Sequence, residues 1–425
     1  MKRLAYRWIG LLLVVGLGLG CQGGMLRKQT PIQAGYNPVE LLDVGAEERA
    51  STDYDVRKAY RIAEEIRINR PASPAAKKRH VLCLSGGGTY GAFSAGVLSG
   101  WTTSGTRPEF DVVTGISTGA LIAPYAFLGS EYDKELEDFY TTIRQNDIFR
   151  IRRTLRTLLL FNDSFADSSP LAKKIDSAVT MEMLRNIARE HQRGRRLYVG
   201  TTELESRRAV VWDMGEIASR GTPEDLELFR KVLLASAAIP GLFSPVRLPV
   251  TVDGKQLEER HVDGSVSNAV FFRAPYRSPE ERAIEGEDWL NGTNVYVLLA
   301  GKIYADGDRV KLRSLFIAAD SITGLLYAQA RGDLLRVYIN CIITGMNYYI
   351  AALPPDAESP KSATEFKPEP MKKLFQIGRE LALSATPWRL TPPGVEQGEG
   401  YFMRDSTKLK RVPLTKEVPM GVPQR

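Results

Sequence analysis

The sequence predicts an α/β fold, a three-layer α/β/α sandwich with a mostly parallel central sheet. Short apolar runs at His80–Leu84 and Phe110–Val113 indicate buried strands, and each is followed by a glycine-containing turn and a helical pattern. Strand and helix patterns continue to alternate along the chain, which is typical of a parallel sheet covered by helices. With 425 residues, 43% of them hydrophobic, the chain can bury a large core.

The other elements follow from periodicity and from breaks at proline and glycine. Helical patterns are expected at 54–69, 91–101, 120–128, onward to about 190, 225–237, 312–335 and 371–383. Further strands are expected at 197–202, 208–212, 261–266, 294–300, 337–344 and 348–352. We divide the chain into a signal peptide (1–20), a tether with one helix (21–75), a main domain (76–386) and a mobile tail rich in proline, glycine and charge (387–425).

The first 21 residues have the composition of an export signal. Basic residues precede the apolar run Ile9–Leu19, and the small residue Gly20 precedes Cys21. This arrangement resembles a bacterial lipoprotein signal, although Gly18 stands where that family usually has leucine. The resemblance implies lipidation of Cys21 and attachment to the outer membrane of the cell envelope. Ordinary cleavage and a retained anchor are the alternatives.

Charge and cysteine content narrow the classes of function. The net charge of +7 comes from the two ends of the chain, so the near-neutral body gives no argument for a nucleic-acid partner. Cys83 and Cys341 lie in apolar runs and are expected to be buried free thiols rather than a disulfide. With only three histidines, we expect no metal site. The glycines at 86–91 are not followed by the Lys-Ser or Lys-Thr of a nucleotide loop, and the chain has no good dinucleotide-binding motif, so we expect no cofactor. The sequence does not indicate an oligomeric state.

The most informative motif is Gly115-Ile-Ser117-Thr-Gly119, between an apolar strand pattern and the helical run 120–128. This strand–turn–helix context is the one that a nucleophile elbow requires. Gly115 and Gly119 allow the tight turn, and Ser117 is its candidate nucleophile. The five-residue pattern has low specificity by itself, because three fixed positions recur by chance.

Three further segments accompany the elbow. The glycine loop Ser85–Gly91 follows a strand, so the amides of Gly86, Gly87 and Gly88 could bind a phosphate or form an oxyanion hole. Asp263-Gly264 ends a candidate strand, where the carboxylate could be a general base or only part of a turn. The segment 235–245 (ASAAIPGLFSP) is interpreted as structural, or as the wall of a pocket.

In this order, the four motifs resemble those of the patatin-like phospholipases, over about residues 80–355. The resemblance implies a catalytic domain over 76–386, lipid ester hydrolysis without metal, and a lipid or ester substrate. It implies that Ser117 is the nucleophile, that Asp263 is the base, and that Gly86, Gly87 and Gly88 form the oxyanion hole. Gly91, Gly115, Gly119 and Gly264 are its motif glycines.

Two positions depart from the family pattern. Tyr90 stands where the family often has arginine, so a cation beside the oxyanion or lipid phosphate is missing, which puts phospholipid preference in doubt. Ser265 replaces a glycine or alanine, which is a milder change.

Competing interpretations remain at this stage. His261, two residues before Asp263, could complete a triad. An aspartate base is expected to stay ionised and to keep activity below the pH at which histidine protonates. The basic and apolar segment Arg150–Phe161 could lie on a membrane or pack as a core helix. A catalytically weak lipid-binding or envelope-scaffold protein with the same fold is the alternative to an enzyme.

Overall fold

A computed structural model describes residues 65, 78–151, 164–252, 255–281, 289–304, 314–360 and 362–394. The signal peptide, Cys21, the tether and, apart from Glu65, the helix expected at 54–69 lie outside the described residues. So do most of the segment Arg150–Phe161 and the chain from 395 onward.

The strands are β1 (His80–Leu84), β2 (Val112–Ile116), β3 (Arg150–Ile151), β4 (Ala166–Asp167), β5 (Arg196–Glu203), β6 (Arg208–Asp213), β7 (Val246–Val252), β8 (Lys255–Asp263), β9 (Asn294–Lys302) and β10 (Asn347–Leu353). The main sheet has the order β10-β9-β1-β2-β5-β8-β7, with β6 also paired to β5, and β3 pairs with β4 separately. The first five strands of that order run parallel. The predicted α/β fold with a mostly parallel central sheet is confirmed.

The helices are α1 (Gly91–Thr103), α2 (Thr118–Leu128), α3 (Asp133–Thr142), α4 (Gln145–Ile148), α5 (Ser169–Ala178), α6 (Met181–Gln192), α7 (Met214–Arg220), α8 (Pro223–Ser236), α9 (Ser314–Thr344) and α10 (Pro368–Leu383). Among the described residues, no helix is both long and apolar enough to cross a bilayer.

The central sheet is covered on both faces, because strand side chains alternate in direction. On β1, Leu82 and Leu84 join the larger core with helices that include α1 and α10. Val81 and Cys83 join a second core, to which α9 contributes Leu334, Val337, Tyr338, Cys341 and Ile342. Burial on both faces explains why the parallel strands appear in the sequence as unbroken apolar runs.

Strand β5 brings the ends of two other strands together. The first part of β5, residues 196–200, pairs with β2, and this pairing ends with Ile116 opposite Gly200. The next residues of β5 pair with β8, and Thr201 lies opposite Asp263. Because β6 occupies the other edge of β5, β2 and β8 share one edge and meet end to end. The residue that follows Ile116 and the last residue of β8 therefore lie side by side.

The strand predicted at 337–344 is wrong, because α9 continues to Thr344. Val337, Tyr338, Cys341 and Ile342 are all buried, at the spacing of one helix face. A short apolar run rich in β-branched residues does not distinguish a strand from a buried helix, and here the packing decides. Gly345, with a φ of 76°, ends the helix.

Two other expectations concern Cys83, Cys341 and the start of the tail. Both cysteines are buried and free, as expected.

The expected tail begins with residues that contact the domain, since Arg389 pairs with Ile350 of β10. The Trp388 ring lies 4.7 Å from that of Trp101 between centroids. The packed part of the chain therefore extends beyond 386.

Candidate active site

Ser117 lies at the turn between β2 and α2, as the elbow pattern predicts. Its backbone has a φ of 53° and a ψ of −122°, a conformation that non-glycine residues rarely adopt. The turn is tight because α2 passes directly over the end of β1. A Cβ atom on Gly119 would lie 2.5 Å from the carbonyl oxygen of Leu84, so only glycine fits there.

The Ser117 hydroxyl is bonded to a carboxylate. Ser117 Oγ donates a hydrogen bond of 2.6 Å to Oδ2 of Asp263, a residue 146 positions later in the chain. The other carboxylate oxygen, Oδ1, accepts from the Ser265 amide at 2.8 Å. This second bond fixes the orientation of the carboxylate, with one oxygen directed at the serine. A nucleophile and a base within hydrogen-bond distance are what covalent catalysis requires.

Burial changes the acidity of Asp263. The side chain is 3% exposed, and desolvation raises the pKa of its carboxyl to about 6 against the lowering effect of the hydrogen bonds from Ser117 and Ser265. Loss of water penalises the charged form, and no cation is among the causes of the shift. The expectation that Asp263 stays ionised below the pH at which histidine protonates is therefore corrected, because a pKa of about 6 lies in the pH range where histidine also titrates.

Gly264 lets the chain turn directly after Asp263. A Cβ atom on Gly264 would lie 2.5 Å from the carbonyl oxygen of Gly200 on β5, so any other residue would push the turn away from the sheet. Gly86, Gly91 and Gly115 also have close neighbours, and a Cβ atom on Gly86 would lie 3.3 Å from that of Ser117. The glycine loop, the elbow and the Asp-Gly turn are thus in mutual contact.

The glycine loop differs from expectation at its first residue. The Gly86 amide donates a hydrogen bond of 3.0 Å to the carbonyl of Ala269, so it is not available to an oxyanion. The amides of Gly87 and Gly88 have no acceptor among the described residues, and both residues keep partial exposure. The set of candidate oxyanion donors is corrected to Gly87 and Gly88, because Gly86 is used to hold the loop in place.

The other end of the loop is fixed to a segment that precedes α10. The Thr89 amide donates to the carbonyl of Ala363 at 2.8 Å. The Tyr90 hydroxyl donates to the carbonyl of Pro360 at 2.7 Å. Tyr90, at the position where the family often has arginine, therefore helps to anchor the loop and adds no charge beside the serine.

His261 is bonded elsewhere. Its ring is fully buried, with Nδ1 2.9 Å from Thr201 Oγ1 and Nε2 3.1 Å from Glu259 Oε2. The acceptor of the Ser117 hydroxyl is the Asp263 carboxylate. The geometry brings Ser117 and Asp263 together and assigns His261 to a separate polar cluster.

Two polar residues at the site were missed by sequence reasoning. Ser236, fully buried at the end of α8, accepts a 2.9 Å hydrogen bond from the Ser117 amide. Asp333 of α9 accepts from the Ala269 amide at 2.8 Å, and Ala269 in turn holds Gly86. The only sequence signal of Asp333 is a polar residue inside an apolar helical pattern, whereas Ser236 lies in the segment 235–245, to which sequence reasoning assigned no catalytic role. Nothing local identifies the partner.

No metal centre accompanies these groups in the part of the chain that the structure describes, where no three His, Cys, Asp or Glu side chains are grouped to hold an ion.

Comparison with known proteins finds a family model that matches part of the chain. The sequence model of the family described as patatin-like phospholipase matches residues 82–276. No curated protein matches the chain. Among solved structures, the crystal structure of VipD from Legionella pneumophila is similar over 73% of this chain and 67% of that chain, with 11% identity and a TM-score of 0.35. The matched residues include the glycine loop, Ser117 and Asp263, so this part of the chain is similar to the patatin-like phospholipase family.

Proposed function

We propose that this protein is a lipid acyl hydrolase, a phospholipase A-like esterase that uses a Ser117–Asp263 dyad. The observation that supports it most is the 2.6 Å hydrogen bond from the elbow hydroxyl to a buried carboxylate. The family match supports a lipid as the substrate class. The two glycine amides without an acceptor beside the elbow support acyl transfer, which needs donors for an oxyanion.

The proposed reaction has two halves. The Asp263 carboxylate removes the proton from Ser117 Oγ as that oxygen attacks the ester carbonyl carbon, and the amides of Gly87 and Gly88 stabilise the oxyanion. The tetrahedral intermediate collapses to an acyl-serine while Asp263 returns the proton to the leaving alcohol. Water then attacks the acyl-serine while Asp263 takes its proton, and Asp263 returns that proton to Ser117 Oγ as the bond to the acyl group breaks and the fatty acid leaves. No redox or metal chemistry is needed in either half.

The proposed substrate is a lipid with a carboxylic ester bond. Tyr90 contributes no charge at the position where the family often has arginine, and its hydroxyl is bonded to Pro360. A phosphate headgroup therefore receives no charge from that position. A panel of phospholipids and neutral acylglycerols, assayed for released fatty acid, separates the two classes.

The decisive experiment is Ser117→Ala. We expect the variant to lose at least about 1000-fold in hydrolysis of a soluble p-nitrophenyl ester, because no other group replaces the nucleophile. A fluorophosphonate probe should label the wild-type protein at Ser117 and leave the variant unlabelled. Thermal unfolding should differ little, since the hydroxyl is small and the buried carboxylate keeps its bond from Ser265.

Equal hydrolysis by wild type and variant would contradict the proposal. Absence of both turnover and labelling in the wild type would favour the alternative, a lipid-binding or scaffold protein with this fold.

The N-terminal anchor stays a prediction from sequence. Incorporation of labelled fatty acid into the protein produced in bacterial cells, and its loss in Cys21→Ser, would test it.

A further inference from the structure

The segment Ala235–Pro240 has no role in the reaction just proposed, although it contacts both of its central residues. It begins at the end of α8, which stops at Ser236. Ala235, Ser236 and Ala238 are each at most 2% exposed. The segment was interpreted from sequence as structural, or as part of a pocket wall.

Ser236 makes two hydrogen bonds of defined direction. Its Oγ donates to the carbonyl of Gly200 on β5 at 2.7 Å. The same oxygen accepts from the Ser117 amide at 2.9 Å. A hydroxyl has a single proton to donate, so both bonds fit its donor and acceptor capacity.

The Ser117 amide depends on this hydroxyl. Pairing between β2 and β5 ends at Ile116 opposite Gly200, and α2 begins after Ser117. The Ser117 amide therefore has no hydrogen-bond partner in the β2–β5 ladder or in α2. Ser236 joins it to the Gly200 carbonyl across the point where the strand ladder stops, and this supports a backbone conformation that is unfavourable by itself.

The same segment also binds the other half of the dyad. Two residues after Ser236, the carbonyl of Ala238 accepts from the Asp263 amide at 2.9 Å. Residues 236–238 are thus bonded to the backbone of Ser117 through a side chain and to the backbone of Asp263 through a carbonyl. One short, buried stretch of chain connects the two.

We infer that residues 236–238 set the separation between Ser117 and Asp263, and that Ser236 is a positioning residue for the dyad. Its catalytic consequence rests on the proposed function. The geometric part can be measured without turnover.

The test compares Ser236→Ala with Ser236→Thr, which keeps the hydroxyl. We expect Ser236→Ala to lower kcat for a soluble p-nitrophenyl ester about 30- to 100-fold with KM within about twofold, because transition-state geometry is lost and substrate contacts are kept. Ser236→Thr should recover most of that loss. Crystal structures should show the Ser117 Oγ–Asp263 Oδ2 distance beyond about 3.5 Å in the alanine variant and within hydrogen-bond range in the threonine variant.

Ser164→Ala is the matched control. Ser164 is also buried, and its hydroxyl also makes two bonds, with Ala166 and Ser244, away from the dyad. Both alanine variants should lose similar thermal stability, but Ser164→Ala should keep the wild-type kcat and the dyad distance. An equal fall in kcat in the two variants would reduce Ser236 to a stability role and overturn the inference.

The two proposals fail in different ways. If the wild type has no esterase activity but the dyad distance still lengthens in Ser236→Ala, the function is wrong and the positioning role holds. If the wild type is active and Ser236→Ala keeps both kcat and the distance, the positioning role is wrong.

Discussion

Asp263 is the residue whose chemistry depends most on its surroundings. Free in water it would be ionised at any physiological pH, but burial raises its pKa to about 6. A base with a pKa close to neutrality accepts and returns a proton more effectively than a strongly acidic one. The desolvation that penalises the charge also suits the carboxylate to act as both base and acid.

We expect a pH–rate profile with an acid limb at about pH 6. Only the carboxylate form accepts the proton of Ser117, so kcat/KM should fall about tenfold for each pH unit below that midpoint. The measurement is hydrolysis of a soluble ester between about pH 4.5 and 8. His261→Asn is the control and should keep the midpoint, because His261 is bonded to Thr201 and Glu259. Loss of the acid limb in that variant would favour the triad.

Asp263→Asn should inactivate the protein and stabilise it. Because burial raises the folded-state pKa of Asp263 above the ordinary aspartate value of 3.8, the fold favours the protonated form, and stability is lost as pH rises through about 6. A neutral asparagine removes that penalty, which is about 2–3 kcal/mol at about pH 8. We expect a higher Tm than wild type at about pH 8, and little difference at about pH 4. A lower Tm at both pH values would contradict the stated cause of the shift.

At the scale of elements, the ends of β2 and β8 determine where the dyad forms. Both strands pair with the same edge of β5, one after the other. The turn after β8 can approach β5 closely because residue 264 has no side chain. The position of Asp263 is therefore a property of strand register and of one glycine.

Gly264→Ala should lower activity far more than it lowers the stability of the fold. The new methyl group would contact the Gly200 carbonyl at about 2.5 Å, so the turn must shift. Because the Asp263 carboxylate moves with it, we expect kcat to fall at least about 100-fold. Steady-state kinetics and thermal unfolding measure the two effects separately.

Gly324→Ala is the control for that substitution. Gly324 lies within α9, and no described residue comes within 4 Å of a Cβ atom added there, so alanine should stabilise the helix by about 0.5–1 kcal/mol. It should leave kcat unchanged. Equal activity of both variants would show that the turn tolerates a side chain.

At the scale of the whole molecule, residues beyond the family match complete the site. α9 holds the loop 268–269 through Asp333, and the segment at 360–363 holds the glycine loop. The Trp388 ring packs against the rings of Trp101, Tyr296 and Tyr349 at the other end of the sheet. The domain thus depends on chain that extends well past residue 276.

Trp388→Ala should lower the free energy of unfolding by about 2–3 kcal/mol, because a large, partly buried ring loses its packing. Leu390→Ala is the control, since that side chain is 60% exposed, and it should change stability by less than about 0.5 kcal/mol. Denaturant unfolding at constant pH measures both. Equal effects would mean that the segment after 386 contributes little to the domain.

The sequence by itself determined the candidate reacting groups and the local elements around them. The strand before the elbow and the helix after it depend on neighbours along the chain, so local patterns predicted them. The close contacts of Gly119 and Gly264 are with Leu84 and Gly200, which lie elsewhere in the chain. The strand expected at 337–344 failed because buried helix and buried strand share a composition, and only the packing of α9 distinguishes them.

The tertiary structure alone decided how those groups can work. In the folded chain the Gly86 amide holds the glycine loop, and burial raises the pKa of Asp263. His261 is bonded to Thr201, and Ser236 accepts a hydrogen bond from the Ser117 amide. Ser117 is 119 residues from Ser236 and 146 from Asp263. Desolvation and hydrogen bonding at this site arise between residues far apart in the chain, so no local pattern encodes them.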